Sequence, residues 1–331
     1  MTQAFGQIWT DLEGESGPPG IVARRVRPET QTDVFLGLER PGAIRLFFVE
    51  GPRVQVEQAA QDLDCAGFRV RCEGVAGIPT RARLVVRLAQ TRYADIFSTL
   101  AADVIGTLPA RGDHSTTLEA MADRLARWER FLALRGPEGL TRFQQQGLFG
   151  ELWFLVYHAV PTYGAAPSVD AWTGTLGRPQ DFQFASVAIE VKTTTAGGAK
   201  GVQVASLRQL DPPAGIRLFL LHVEVEERSG SGDTLPDLVG RARTALAGNE
   251  VRLNDRLLEV GYVDADAPLY RTPMYAVRRH RFFEVRDAFP RIREAELRVG
   301  VTAVEYTIAL VACESYVVPD LSVKTAIESG E

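Results

Sequence analysis

The side chains whose types and spacing could do chemistry are Asp181, Glu190 and Lys192. They lie in two short runs of alternating apolar and polar residues that flank Ala185 and Ser186, the pattern of a tight β-hairpin. With those two residues as the turn, Phe184 faces Val187, Gln183 faces Ala188, Phe182 faces Ile189 and Asp181 faces Glu190. Side chains alternate across a strand. One surface therefore carries Phe182, Phe184, Val187, Ile189 and Val191, and the other carries Asp181, Gln183, Ala188, Glu190 and Lys192. Opposed residues of an antiparallel pair stand roughly 4.5–5.5 Å apart at Cβ, where two like charges destabilise unless something neutralises them. Two carboxylates at that spacing, with an ammonium one step along, can hold Mg²⁺ and position a water beside it. The competing reading is a solvated polar face on an ordinary amphipathic hairpin, with Lys192 pairing Glu190.

Two features weigh toward chemistry. Lys192, Lys200 and Lys324 are the only lysines among 37 Lys plus Arg. The chain otherwise uses arginine for positive charge, and a compact ammonium is not interchangeable with a guanidinium fork. The second feature is Glu151, set in the apolar run Leu148 to Val156 of a helix expected over about 141–159. An unpartnered carboxylate there costs several kcal/mol or shifts its pKa upward. Gly147 and Gly150 remove bulk beside it, which lets the helix approach a sheet and aim Glu151 at the hairpin's acidic face. A buried salt bridge, for example to Arg142, is the alternative.

At 331 residues and 45% hydrophobic, the chain can bury a large core and divides into two or three lobes. No apolar run reaches the roughly 18 residues of a membrane span, and the N-terminus lacks the basic start and apolar core of a secretory signal, so a cytoplasmic location is expected. Cys65, Cys72 and Cys313 form no C-x-x-C pair and suggest neither a disulfide framework nor a zinc site. His114, His158, His222 and His280 are isolated in sequence and read as structural or surface residues. A net charge of −5 argues against indiscriminate nucleic-acid binding. Local basic strips remain open at Arg24, Arg25 and Arg27, at Arg81, Arg83 and Arg87, and at Arg278, Arg279 and Arg281, against the alternative of exposed arginines on amphipathic strands.

These residues need elements to position them. Strands are expected over 21–27, 33–40, 43–50, 53–57, 68–73 and 82–89, divided by Gly and Pro punctuation. Helices follow over about 93–105 and from Thr116 or Thr117 to Leu134, the latter burying Leu118, Met121, Leu125, Trp128 and Leu132 and ending at Gly136-Pro137. Residues 196–201 read as a flexible loop that is no phosphate-binding P-loop. Ser206 to Gln209 has the S-x-x-Q form of a helix capping box. Residues 216–226 read as a central strand, 236–246 and 250–260 as helices, Asp264 and Asp266 as solvated turn residues, 275–285 and 297–313 as β, and the last dozen residues as a loosely held tail. The expected domains are a β-rich N-terminal lobe (1–110), a core with linking helices (111–265) and a β-containing C-terminal extension packing on it (266–331).

Glu151 on a helix, Asp181 at a strand start, Glu190-Val191-Lys192 on the partner strand and Gln209 beyond resemble, in order and spacing, the PD-(D/E)xK nuclease superfamily. The wording of residues 147–152, 172–174, 181–182, 189–193 and 206–210 is closest to an uncharacterised bacterial branch of nucleases associated with restriction and phage defence. An E-x-K alone would be weak, since acidic residues are 42 of 331 and about one lysine in eight has one two positions earlier by chance. Four elements in order are more specific. The resemblance implies an α/β (α+β overall) fold, with a restriction-endonuclease-like core whose mixed central sheet is flanked by helices. It also implies Mg²⁺-dependent phosphodiester hydrolysis, with Mn²⁺ able to substitute, and DNA as substrate. By the same resemblance Asp181 and Glu190 bind metal, with the Val191 carbonyl as a further ligand, and Glu151 completes the shell directly or through water. Lys192 orients or activates water and Gln209 supports the site. Gln180, with Pro179 one step further back, departs from the family pattern. The expected partners are DNA, a second copy of the chain for double-strand cleavage, and a separately encoded defence ATPase, methyltransferase or specificity subunit. Other readings are a nuclease-fold DNA-binding or scaffold subunit without turnover and a structure-specific DNA-repair nuclease.

Overall fold

The computed structural model describes residues 2–27, 32–60, 65, 67–134, 139–197, 201–212, 215–301 and 303–329. Gly136, Pro137 and the centre of the loop expected over 196–201 lie outside them. The chain forms two compact units, one of residues 1–135 with 263–265, the other of 136–262 with 266–331.

In the first unit, α1 (Thr2–Gly14) precedes β1 (Gly20–Val26), β2 (Asp33–Arg40) and β3 (Ile44–Pro52). Then come α2 (Arg53–Ala59), β4 (Phe68–Val75), β5 (Ile78–Leu88), α3 (Ala94–Thr107) and α4 (His114–Leu134). Among the described residues the strands form one antiparallel sheet in the order β1-β2-β3-β5-β4. The strand expected over 53–57 is instead α2. Val54 and Val56 fit either period in so short a run, and the helical turn buries Val56 completely. The stripe of α4 is as expected at Leu118, Met121, Leu125 and Trp128, with Phe131 rather than Leu132 fully buried. Asp113 caps that helix, its Oδ1 accepting from the Thr116 N–H at 2.8 Å. The basic strips are largely spent on acids: Arg24 on Asp11, Arg25 on Asp33, Arg81 and Arg83 on Glu50, and Arg87 on Glu39 and Glu73.

The second unit begins with α5 (Arg142–Phe154), whose Thr141 cap is reciprocated by Gln144. The chain then widens into a π-helical turn, Leu155–Ala159, just before Pro161, and continues as α6 (Val160–Tyr163) and α7 (Ala165–Ala171). There follow β6 (Phe182–Gln183), β7 (Val187–Thr195), β8 (Gly201–Val204), β9 (Arg217–Arg228), α8 (Leu235–Ala245) and α9 (Glu250–Glu259). The chain ends with β10 (Met274–Glu284), β11 (Tyr306–Ala309), β12 (Val317–Val318) and α10 (Asp320–Ser329). The sheet runs β12-β10-β9-β7-β6; β7 and β9 are parallel and the other pairs antiparallel, so it is mixed. β8 and β11 pair separately. One face buries Phe182, Ile189, Phe219 and Leu221 with Phe149 and Leu152 of α5. The other buries Ala188, Leu218, Leu220 and Phe283 with Val202 and Ile308. β9 is central because both its faces are apolar.

Three expectations fail here. The tail is α10, which buries Val323, Ala326 and Ile327 in the main core. Asp266 is 3% exposed in a 3₁₀ segment, not a solvated turn residue. Among the described residues of 297–313, only β11 pairs as a strand, and Leu310–Tyr316 is a 3₁₀ segment.

Candidate active site

The hairpin has the register that alternation requires. Phe182 pairs with Ile189, Gln183 with Ala188, and the Phe184 N–H donates to the Val187 carbonyl at 2.7 Å. Asp181 and Glu190 stand one step beyond the last paired residues. The polar face is not solvated, because the second apolar cluster covers its lower end and Glu190 is 1% exposed. Glu151 reaches the same place from α5. Gly150 permits the approach: a Cβ there would stand 1.9 Å from Thr193 Oγ1 and 3.4 Å from Val191 Cγ1 of β7. Gly147 meets nothing within 4 Å, so it leaves the mouth open rather than allowing packing. Arg142 does not partner Glu151; it pairs with Glu227.

Glu151, Asp181, Glu190, Lys192 and Gln209 line one cavity of about 620 Å³. The Trp172 indole N–H donates to Glu151 Oε2 at 2.7 Å, and the Val191 N–H donates to Asp181 Oδ2 at 2.7 Å. Lys192 Nζ stands 2.8 Å from Glu190 Oε1 and donates to Gln209 Oε1 at 3.3 Å. Apart from that ion pair, neither Glu190 oxygen has a directed hydrogen bond. Gln209 is not on a helix. Its segment is a single 3₁₀ turn, Ser206 makes no side-chain cap, and Gln209 Oε1 instead accepts from the Ala205 N–H at 2.9 Å.

Burial raises all three acids, and repulsion from a neighbouring acid adds to the rise of Glu151 and Glu190. Glu151 is pushed up to about 8 by burial and then by Asp181, with Trp172 opposing. Asp181 rises to about 6 through burial, against the Val191 N–H and Lys192. Glu190 is raised well above the usual range by burial and Asp181. Burial alone would lower Lys192, but Glu190, Asp181 and Glu151 outweigh it and hold the ammonium form. Ionising the buried Glu190 beside the partly buried Glu151 and Asp181 would leave more negative charge than Lys192 offsets, and Glu190 has oxygens without directed donors. That donor set fits a hard divalent cation. The acids do not bring one oxygen each within 4.8 Å of the other two, a spacing that among the described residues belongs to another group.

Sequence reading missed the supports. Gln180, 1% exposed, donates to the Arg208 carbonyl and accepts from Gln183 Nε2 at 2.9 Å, so it ties the strand of Asp181 to the turn of Gln209. The N–H groups of Thr173 and Gly174 both donate to the Asp181 carbonyl at 2.9 Å. A Cβ on Gly174 would lie 2.8 Å from Asp181 Cα. The motif Trp172 to Gly174 was visible in the sequence; its roles were not.

A mixed sheet that turns two acids and a lysine out of one hairpin, against an acid from the preceding helix, defines a core of the PD-(D/E)xK nuclease type. The family model described as "Putative PD-(D/E)XK family member, (DUF4420)" matches residues 5–311, and the chain belongs to that family. The match spans both units. No curated protein and no solved structure matches the chain. Family and fold together give a nuclease as the coarse activity, a hydrolase of the kind that uses divalent metals. No helix among the described residues is long and apolar enough to cross a membrane.

Proposed function

We propose that the chain is a Mg²⁺-dependent DNA endonuclease that hydrolyses phosphodiester bonds in the cavity around Glu190. The observation that carries this reading is the buried Glu190 carboxylate, without a directed hydrogen bond and facing two further raised acids and one ammonium. Asp181 and Glu190 would hold the ion, with the Val191 carbonyl and Glu151 as further oxygen donors. All of these are oxygen donors, which favour Mg²⁺ or Mn²⁺ over softer ions. A bound cation would lower the pKa of a coordinated water and screen charge on the phosphate.

The protein's own residues do the rest. Lys192, held as an ammonium, is a donor and not a base; it orients the attacking water and offsets charge developing on a phosphate oxygen. Gln209 keeps the ammonium pointed into the cavity. Trp172 and the Val191 N–H fix the rotamers of Glu151 and Asp181, so little reorganisation remains at the moment of reaction. Arg178 and Arg208, exposed on adjoining loops, have no side-chain ion pair or hydrogen bond among the described residues, and serve as phosphate contacts. Phe143, 74% exposed at the cavity's edge, offers a face on which a base can stack.

A cytoplasmic role in restriction or phage defence, with a partner ATPase, methyltransferase or specificity subunit, is the setting this reading favours. A twofold dimer would provide two sites for cutting both strands. The test is incubation of purified protein with supercoiled, linear, branched and single-stranded DNA and with RNA, in Mg²⁺ or in chelator. Metal-dependent cleavage of duplex DNA that Asp181→Asn abolishes is expected. Saturable Mg²⁺ binding without cleavage of any substrate would mark a scaffold, and cleavage confined to branched DNA would mark a repair nuclease.

A further inference from the structure

A second cluster of ligand-type side chains lies in the same unit, outside the cavity around Glu190. His158 from the π-helical turn, His280 from β10 and Asp320 from the first turn of α10 each offer one ligand atom within 4.8 Å of the other two. His280 Nε2 and Asp320 Oδ2 are 2.8 Å apart. The His158 and His280 rings have centroids 5.2 Å apart. Three elements far apart in sequence thus converge through the residue types that bind borderline divalent metals.

The His280–Asp320 contact by itself has an ordinary explanation as an ion pair, and an acid in the first turn of α10 also complements the helix dipole. His158 has no such explanation. Its ring is flanked by Trp153, Phe154 and Phe282, with centroids at 4.9, 5.9 and 5.5 Å, and among the described residues its side chain makes no hydrogen bond. The ring is only partly buried, so its nitrogens stay free to take a ligand. The backbone at His158 is a π turn, a local insertion that re-aims a side chain and recurs at functional positions. Asp320, half exposed, leaves an entry path from solvent.

We propose that His158, His280 and Asp320 bind a Zn²⁺-class ion, with water as the fourth ligand. Tetrahedral coordination at bond lengths of about 2.0–2.2 Å requires ligand separations of roughly 3.4 Å. The 2.8 Å pair must open slightly and the wider separations, at most 4.8 Å, must close. Both are side-chain adjustments. The ion fastens the C-terminal helix to the sheet and to the turn after α5, and its role is structural. Imidazole and carboxylate together suit Zn²⁺, whereas the all-oxygen acids around Glu190 suit Mg²⁺, so the two sites select different metals.

The experiment uses the full chain, free of any polyhistidine tag, carrying Asp181→Asn and Glu190→Gln so that the other site is disabled. Co²⁺ is titrated as a spectroscopic probe and Zn²⁺ as competitor. The expected result is one Co²⁺ per chain with the visible absorption of a four-coordinate ion, displacement by Zn²⁺, and quenching of Trp153 emission that Trp153→Phe removes. Adding His280→Gln or Asp320→Asn should weaken binding by more than the roughly 10–100-fold that loss of an outer-shell partner costs. Asp320→Asn alters a half-exposed residue and keeps its shape, so it serves if His280→Gln does not fold. Absence of stoichiometric Co²⁺ binding, or binding unchanged by Asp320→Asn in folded protein, would overturn the proposal. Neither result bears on the nuclease reading.

Discussion

Lys192 is the side chain whose chemistry cannot be delegated. It stands 2.8 Å from Glu190 Oε1 and 3.3 Å from Gln209 Oε1, and among the described residues it is the only lysine lining the cavity. Lys192→Ala is expected to reduce single-turnover cleavage by about 10²–10⁴-fold, the range for loss of a positioned proton donor or acceptor. Lys192→Arg should not restore it, because a planar guanidinium cannot occupy a point-charge position among three acids. Quench-flow rates at saturating Mg²⁺, with circular dichroism to confirm folding, check both; a fully active Lys192→Ala removes the residue from the mechanism. The site was legible at this scale wherever one rule sufficed. Alternation fixed the faces of Asp181, Glu190 and Lys192, and a charge in an apolar helix exposed Glu151. Gln180 and Trp172 were not legible as supports, because an amide or an indole gains that role only from a tertiary partner. The histidines looked isolated for the same reason: His158 and His280 are far apart in sequence and adjacent in space.

Among the elements, the contact of α5 with β7 sets how far Glu151 reaches. Thr193 Oγ1 already occupies the space that a methyl on Gly150 would need. Gly150→Ala is therefore expected to cost about 1–3 kcal/mol, the usual range for overpacking, and to lose cleavage by withdrawing Glu151. Gly147→Ala, which meets open space, should stabilise the protein by up to about 1 kcal/mol, the helix-propensity difference between the two residues. Chemical denaturation of the two variants checks the contrast; equal effects would refute the packing argument. The loops carry a second prediction. Arg178→Ala and Arg208→Ala should weaken DNA binding across all sequences and lower the salt slope of log K by about one each, leaving Mg²⁺ affinity unchanged. Fluorescence anisotropy at several salt concentrations measures this, and an unaltered slope would remove either arginine from the interface. Element types were legible where a run was long, as in β9, α4 and α8. Short signals misled. Ser206 to Gln209 matches a capping box, but Pro212-Pro213 follows at once, and residues before proline avoid the helical region. The C-terminal segment was read from its position in the chain, although Val323, Ala326 and Ile327 already had helical spacing.

At the scale of the whole molecule, the buried acids make stability depend on pH and on metal together. In the chelated protein Glu151, at about 8, and Glu190 are raised above their unfolded values, and Asp181 is raised to about 6. A carboxyl raised in the folded state contributes stability that is complete below its unfolded pKa and lost as pH climbs through the folded one. His158 and His222 act oppositely. Each is lowered to about 4 by burial, so each contributes stability that is complete above about 6.5 and lost as pH falls toward 4. The two trends oppose each other from about pH 4.5 to 6.5. From about 6.5 to 8 the histidines have finished titrating and the acids dominate. The melting temperature of chelated protein should therefore fall over that upper window, and Glu190→Gln should flatten the fall. Mg²⁺ binds the ionised acids, so its stabilising increment, about 2.7 kcal/mol at a hundredfold excess over Kd, should be larger at pH 8 than at pH 6.5. Scanning fluorimetry at fixed free Mg²⁺ across that range provides the measurement. A melting temperature that rises with pH in chelator, or an increment indifferent to pH, would mean that these carboxylates are not held protonated without metal.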